Sequence, residues 1–329
     1  MSPSDQTRDR QYEVLSARAG YVPLGHRTQL ELTGPDRARL LHNLCTNHIL
    51  DLQPGDGCEA FVTNVRGKIL GHVLVFCAED SLTVDTVAGQ ADELISHLDK
   101  YAIQEDVEIH DRSQTWADLL VAGRELPELW ESLALGPLPQ AQYRQTAAEI
   151  SGNPVAVRRV PMTAAPTLLV SGDTQTLDLL AESLSGAGAI ACRPEPLETL
   201  RVEAGWPEYG RDITESNLPQ EVNRDRQTLH FDKGCYLGQE TVARIDAVGH
   251  VNWKLMGLQF SGPSVPAAGT ELMHAGKTVG RVTSAVYSPR LNAPLAMGYV
   301  RREHEAPGTQ LESALGDVQV VRLPLEETL

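Results

Sequence analysis

The sequence predicts an α+β protein with two related mixed lobes followed by a small all-β C-terminal domain. Three observations predict it. A strand–helix–strand unit occurs twice, about 85 residues apart. Paired extended runs that read as antiparallel hairpins lie beside those units. From about Leu255 the pattern changes to short apolar runs punctuated by glycine and proline, the mark of short strands and tight turns. With 329 residues, 41% of them hydrophobic, the chain has material for two or three domains with sizeable cores.

The elements follow in order. Gly34-Pro35-Asp36 opens a helix whose Leu40, Leu41 and Leu44 make one apolar stripe, with Asp36 where a carboxylate suits the helix dipole. Pro54-Gly55-Asp56-Gly57 is a turn. Runs from Glu59 to Asn64 and from Ile69 to Cys77 form a hairpin about Arg66-Gly67-Lys68. The first copy of the repeat is a strand at Ser81 to Thr86, a helix at Gln90 to Lys100 and a strand at Glu105 to Ile109. The second is a strand at Thr167 to Ser171, a helix at Thr174 to Leu184 with Asp173 as its N-cap, and a strand at Ala189 to Arg193. Leu126 to Pro139, with three prolines, reads as a crossover containing a short helix. His274-Ala275-Gly276-Lys277 turns a hairpin, and strands continue at Val282 to Tyr287, Ala296 to Val300 and Val318 to Leu323. The expected domains are 1–50 with 112–249 as first and crossover lobe, 51–111 as an inserted lobe, and 250–329 as the all-β domain.

Composition narrows the function. Lys plus Arg number 28 against 44 Asp plus Glu, a net charge of −16. That argues against a general binder of nucleic acid or anionic membrane. No apolar run approaches the roughly 18 residues of a membrane span, and Met1 to Arg10 has no signal-peptide pattern. The five cysteines are scattered, odd in number and without a C-x-x-C pair, which reads as a reducing, cytoplasmic setting with no disulfide framework. No metal site is expected. Gly186-Ala187-Gly188-Ala189-Ile190-Ala191 fits a dinucleotide fingerprint on paper, but a helix precedes it and a strand follows, so it reads as a helix stop.

The richest stretch is Lys233-Gly234-Cys235-Tyr236-Leu237-Gly238-Gln239-Glu240. A thiol stands between two glycines with a lysine two residues away, and a nearby cation favours thiolate. From residue types alone this is either a reactive site carried by Cys235 and Lys233 or a turn around a packed cysteine. The octapeptide resembles the K-G-C-[FY]-x-G-Q-E signature of the YgfZ-type folate-binding proteins, relatives of the glycine-cleavage T-protein, an aminomethyltransferase. The resemblance extends from Gly34-Pro35-Asp36 to the C-terminal strands.

That resemblance implies an aminomethyltransferase-like arrangement of two pseudo-repeated α+β lobes and a small C-terminal β-barrel around a central opening. It implies tetrahydrofolate or a related reduced folate as cofactor. Arg201-Val202-Glu203-Ala204-Gly205 is similar to the family's R-x-E-A-G segment, whose glutamate receives hydrogen bonds from the pterin, so Glu203 is the residue at the matching position. Asn64, Tyr209 and Arg244 join it as folate-site residues. Arg224 and Arg226 either meet a folate glutamate tail or are solvated loop charges. T-proteins carry two adjacent aspartates in the strand after a Gly-Gly-Ile-like turn, and here Gly71 and His72 occupy those positions. The implied role is an accessory protein in iron–sulfur protein assembly, repair or maintenance that supports cluster-dependent tRNA modification. Its partners would be iron–sulfur client or assembly proteins, and it would lack glycine-cleavage activity. A folate-dependent aminomethyl or methyl transferase is the alternative, and a binding module without chemistry is a third reading.

Overall fold

The computed structural model describes residues 3–325. In chain order the elements are α1 (Pro3–Ala17), β1 (Gly20–Gly25), β2 (Thr28–Thr33), α2 (Arg37–Leu44), β3 (Gly57–Thr63), β4 (Ile69–Cys77), β5 (Ser81–Thr86), α3 (Ala91–Tyr101), β6 (Glu108–Asp111) and β7 (Trp116–Ala122). Then come α4 (Leu126–Ser132), β8 (Gln145–Ile150), β9 (Asn153–Arg159), β10 (Thr167–Asp173), α5 (Thr174–Gly186), β11 (Ile190–Ala191), α6 (Pro194–Glu203), the short α7 (Asp225–Thr228) and α8 (Gln239–Val248). The last strands are β12 (Trp253–Phe260), β13 (Glu271–His274), β14 (Lys277–Ser288), β15 (Ala293–Arg301), β16 (Gln310–Ser313) and β17 (Gly316–Val321).

Two sheets and a closed barrel result. The first lobe has the strand order β11-β1-β7-β10-β9-β8, and the second has β3-β4-β5-β2-β6. Written from the other end, the second order becomes β6-β2-β5-β4-β3, which is the first order with β7 left out. The repeat seen in the sequence is therefore a repeat of topology. Each lobe has a hairpin, a third strand, a helix and an edge strand. Asp173 caps α5 by accepting from Thr176 N at 3.0 Å. Asp36 precedes α2 without capping it, and its Oδ2 instead accepts from Asp106 N at 3.0 Å.

One boundary differs from the expectation. Strand β2 pairs with β5 and β6, so the second lobe begins near Thr28 and not at residue 51. The reason is side-chain alternation. Leu30 and Leu32 are fully buried with Leu40, Leu41 and Leu44 of α2 and with Leu94 and Leu98 of α3. Each such leucine contributes about 1.5–3 kcal/mol on burial, and only the second sheet offers them that core. Six strands, β12-β15-β14-β13-β16-β17, close the C-terminal barrel. Closure leaves no free edge. Among the described residues no helix is long and apolar enough to cross a membrane.

Candidate functional site

A cavity of about 590 Å³ lies where the two lobes, the segment after α6 and the barrel meet. Leu24 and Leu120 line it from the first lobe, His72, Leu74 and Asp85 from the second, and Tyr287 from the barrel. A mostly apolar opening with a few convergent polar groups is the usual form of a small-molecule site.

Strand alternation decides which of Gly71 and His72 matters to this cavity. Gly71 faces α3, where an added Cβ would lie 3.1 Å from Leu94 Cδ2. His72 is the member on the cavity wall. Its Nε2 donates to Glu59 Oε1 at 2.7 Å, and Thr86 Oγ1 donates to its carbonyl at 2.7 Å. Glu59 is a fully buried hub. Both its oxygens accept from Arg224, through Nε and Nη2, and Tyr143 Oη adds a bond of 2.7 Å. Burial works against ionising Glu59. The Arg224 charge and the bonds from Arg224 and His72 overcome it and hold the carboxyl well below its ordinary range. The guanidinium of Arg224 lies 4.8 Å over the Trp206 ring, with the His72 ring 5.0 Å from Trp206.

A second ionic group forms one wall. Arg27 donates to Asp85 Oδ1 from Nε at 3.0 Å and from Nη2 at 2.7 Å. Behind this pair, Asp118 accepts from Ser171 Oγ and from Gln29 Nε2. Arg158 Nη1 donates to Ser171 Oγ at 2.9 Å. Burial, and then the charge of Asp85, push the Asp118 carboxyl up to about 7. The group joins β5 of the second lobe to β7, β9 and β10 of the first, so it couples ligand space to the lobe interface.

Glu203 ends α6 in a buried position. Ser288 Oγ donates to Oε1 at 2.5 Å and Tyr12 Oη to Oε2 at 2.8 Å. Burial raises its pKa. Its carboxylate thus ties α1 to the barrel. Two residues earlier, Arg201 bonds Glu198 with Nε and Nη2, Asp212 with Nη1 at 2.7 Å and Ser284 Oγ at 2.9 Å, locking α6 to β14. Gly205 must be glycine: its φ is +66°, and a Cβ would meet Leu323 Cβ at 2.6 Å. Tyr209 is half-buried, packed on the core around Phe61 and Ile69. Burial, then Glu93 and Glu215, raise its pKa. Arg244 is exposed on α8. Arg224 joins Glu59 as described, and Arg226 stays on the exposed face of α7.

The octapeptide occupies a different place, beside an open groove of about 680 Å³ also lined by Leu40, Leu44 and Tyr101. Cys235 is exposed, and the other four cysteines are buried, all of them free. Lys233 is buried and donates to three backbone carbonyls: His42 at 2.6 Å, Cys45 at 2.8 Å and Asn47 at 2.7 Å. Its ammonium therefore closes the C-terminal end of α2. Burial lowers its pKa. Gly238 has φ +84°, and a Cβ there would lie 2.4 Å from Asn64 O and 2.7 Å from Gly67 Cα. The loop is pressed against the β3–β4 turn. Asn64 organises that turn, its Oδ1 accepting from Arg66 N at 2.9 Å and Lys68 N at 3.1 Å. Thr63 Oγ1 then donates to Leu237 O at 2.7 Å. Asn64 thus braces the loop that carries Cys235, Glu203 is held apart between Tyr12 and Ser288, and Tyr209 packs in the core that also takes Tyr236.

Sequence reasoning did not single out Glu59, Arg27, Asp85 or Asp118. A charge inside an otherwise apolar strand, as at Asp85 in Leu-Thr-Val-Asp-Thr, was the available signal. Among the described residues no group of three or more His, Cys, Asp or Glu side chains is placed to hold a metal ion.

Comparison with known proteins accords with this architecture. Residues 3–232 match the GCVT N-terminal domain, and residues 254–325 match the glycine cleavage T-protein C-terminal barrel domain. The chain is 30% identical over 314 residues to the aminomethyltransferase of Streptomyces coelicolor, covering 91% of this chain and 83% of that protein. It is 29% identical over 310 residues to the aminomethyltransferase of Streptomyces avermitilis, covering 92% and 83%. A putative chloroplastic transferase of Arabidopsis thaliana is 30% identical over 296 residues, 87% of this chain and 66% of that one. The crystal structure of glycine cleavage system aminomethyltransferase T from Bartonella henselae superposes with a TM-score of 0.83 at 20% identity, covering 97% and 89%, a likeness of fold. With both domains matched in order and the three-part fold shared, the chain belongs to the glycine-cleavage T-protein (aminomethyltransferase) family.

Proposed function

We propose that this family member is a YgfZ-type, cytoplasmic accessory protein. It binds tetrahydrofolate or a related reduced folate and serves iron–sulfur client or assembly proteins, including those that modify tRNA. The observation that carries the reading is at Gly71-His72. At the positions matching the T-proteins' adjacent aspartate pair, one of which is their catalytic carboxylate, the cavity-facing side chain is an imidazole whose Nε2 is tied to Glu59. A histidine held there cannot place a carboxylate beside a reacting nitrogen, and Gly71 faces α3.

The cavity fits a reduced pterin on two grounds. Its apolar walls, Leu24, Leu74 and Leu120, suit ring faces, and Asp85 has a buried oxygen without a hydrogen-bond partner. Bound there, the folate supplies a ring nitrogen that accepts or carries one-carbon groups. The chain's own residues exclude water, through Leu24, Leu120 and Trp206, and fix the wall through Arg27–Asp85. Cys235 is the reactive group of the accessory role. It stands on a loop braced by Lys233 and Gly238, and a single thiol holds no cluster alone, so it acts with a partner protein.

The test replaces Cys235 with serine in the native organism and measures cluster-dependent tRNA thiomethylation. Loss of modification comparable to gene deletion supports the reading, and normal modification in both strains overturns it. A folate-dependent transferase remains the second reading, favoured by the 30% identity across 83% of an aminomethyltransferase. Turnover with aminomethyl-loaded carrier protein would establish it.

A further inference from the structure

A second cavity, of about 570 Å³, lies between the barrel and the segment from Ser216 to Glu221. It shares no lining residue with the central cavity or with the groove beside Cys235. Strand register builds its barrel wall. Glu271, Arg281 and Tyr299 stand directly opposite one another across β13, β14 and β15. Trp253 begins β12, whose Leu255 pairs with Tyr299. Tyr299 Oη donates to Asp212 O at 2.9 Å, so its hydroxyl is spent and its ring serves as wall. The other side is the 3₁₀ turn Pro219–Val222, which carries Glu221.

Glu221 is 8% exposed, and its Oε2 caps the turn by accepting from Leu218 N at 2.8 Å. Its Oε1 accepts no hydrogen bond among the described residues. The neighbouring Gln220 Oε1 is sealed from solvent without a partner, but Glu221 Oε1 is not, so it opens onto the cavity that Glu221 lines. The basic side chains close by are committed elsewhere. Lys68 Nζ donates to Ser216 O at 2.5 Å, and Lys254 pairs with Asp225 at 3.5 Å. Arg281 is exposed and stands opposite Glu271, which offsets its charge. A carboxylate this buried is ordinarily paired with a cation. Here the partner's place is the cavity itself.

The walls specify the chemistry of that partner. A carboxylate oxygen bonds most strongly to a charged N–H donor. Trp253 and Tyr299 add aromatic surface, and Trp253 already holds the Arg301 guanidinium 4.5 Å from its ring centroid, the geometry in which an indole attracts a cation. Aromatic walls around one open carboxylate suit an organic ammonium. They do not suit a bare metal ion, for which the described residues offer no cluster of ligands. We propose that this cavity binds a small organic ammonium ion: Glu221 Oε1 accepts from the ammonium, and the rings of Trp253 and Tyr299 cover its alkyl body. The site stands apart from the folate reading, and neither depends on the other.

The experiment is NMR titration of the full chain with n-butylammonium, with n-butanol and butyrate as neutral and anionic counterparts. Wild type should bind n-butylammonium saturably and about 10-fold or more tighter than either counterpart. Glu221→Gln keeps an acceptor for Leu218 N and should weaken n-butylammonium about 10-fold or more. Trp253→Leu should weaken it about 3- to 10-fold. No saturable binding by wild type below about 50 mM, or n-butanol or butyrate bound as tightly, overturns the proposal without any variant, so a poorly folding Glu221→Gln does not rescue it. Wild-type affinity in Glu221→Gln overturns it too. So does an equal weakening by Glu303→Gln, an exposed acid outside the cavity, because the overall charge of −16 would then be what attracts the cation.

Discussion

Replacing Lys233 with methionine should destabilise the protein, because the ammonium closes the end of α2. The ammonium donates to the carbonyls of His42, Cys45 and Asn47 at 2.6, 2.8 and 2.7 Å, the first two of these bonds fully buried. A hydrogen bond to a charged group contributes about 1.5–3 kcal/mol. Desolvation of the ammonium, which also lowers its pKa, offsets several kcal/mol of that sum. Methionine keeps the stem's volume but leaves the carbonyls without a donor, at about 1–3 kcal/mol for each one that water cannot reach. With two such carbonyls, the net loss is about 2–5 kcal/mol. Urea denaturation should show a lower midpoint with the slope unchanged. A stability loss under about 1 kcal/mol would refute the structural role.

Two further outcomes follow from the buried charges and a third from Gly71-His72. Glu59→Gln strands Arg224 and should cost about 3–5 kcal/mol by urea denaturation. Because the Glu59 pKa is depressed, its stabilisation is present above the ordinary carboxylate pKa and is lost only as pH falls through the lower folded value, so the cost should shrink only in strong acid. Asp118, raised to about 7, has the opposite sign: between about pH 4 and 7 the folded state holds a proton that the unfolded chain releases. This group's contribution to stability therefore falls as pH rises through that window. Asp118→Asn, a mimic of the neutral acid, should flatten that part of the denaturation–pH profile. Finally, a coupled assay with aminomethyl-lipoyl carrier protein and tetrahydrofolate should show no turnover above background. Turnover at T-protein levels would replace the accessory reading with the transferase one.

Local patterning made most of the fold legible. The β5–α3–β6 and β10–α5–β11 units were readable because alternation, helical stripes and the Asp173 cap are local signals. The lobe boundary was not, because β2 lies next to β1 in sequence yet pairs with β5, about 50 residues on. The same distance problem hid most of the cavity. Glu59 and Arg224 are 165 residues apart, Arg27 and Asp85 are 58, and nothing local links either pair. Cys235 could be picked out because its octapeptide is contiguous. Proximity in sequence misled at Lys233, whose long side chain reaches past the thiol's loop to the end of α2.

The account turns on the central cavity being the folate site. The direct test is calorimetric titration of tetrahydrofolate into wild type and into Leu24→Trp, which fills a partly exposed position on the cavity wall. Saturable one-to-one binding by wild type, lost in Leu24→Trp and retained in Cys235→Ser, is the expected result. No binding by wild type, or equal binding by Leu24→Trp, would contradict it.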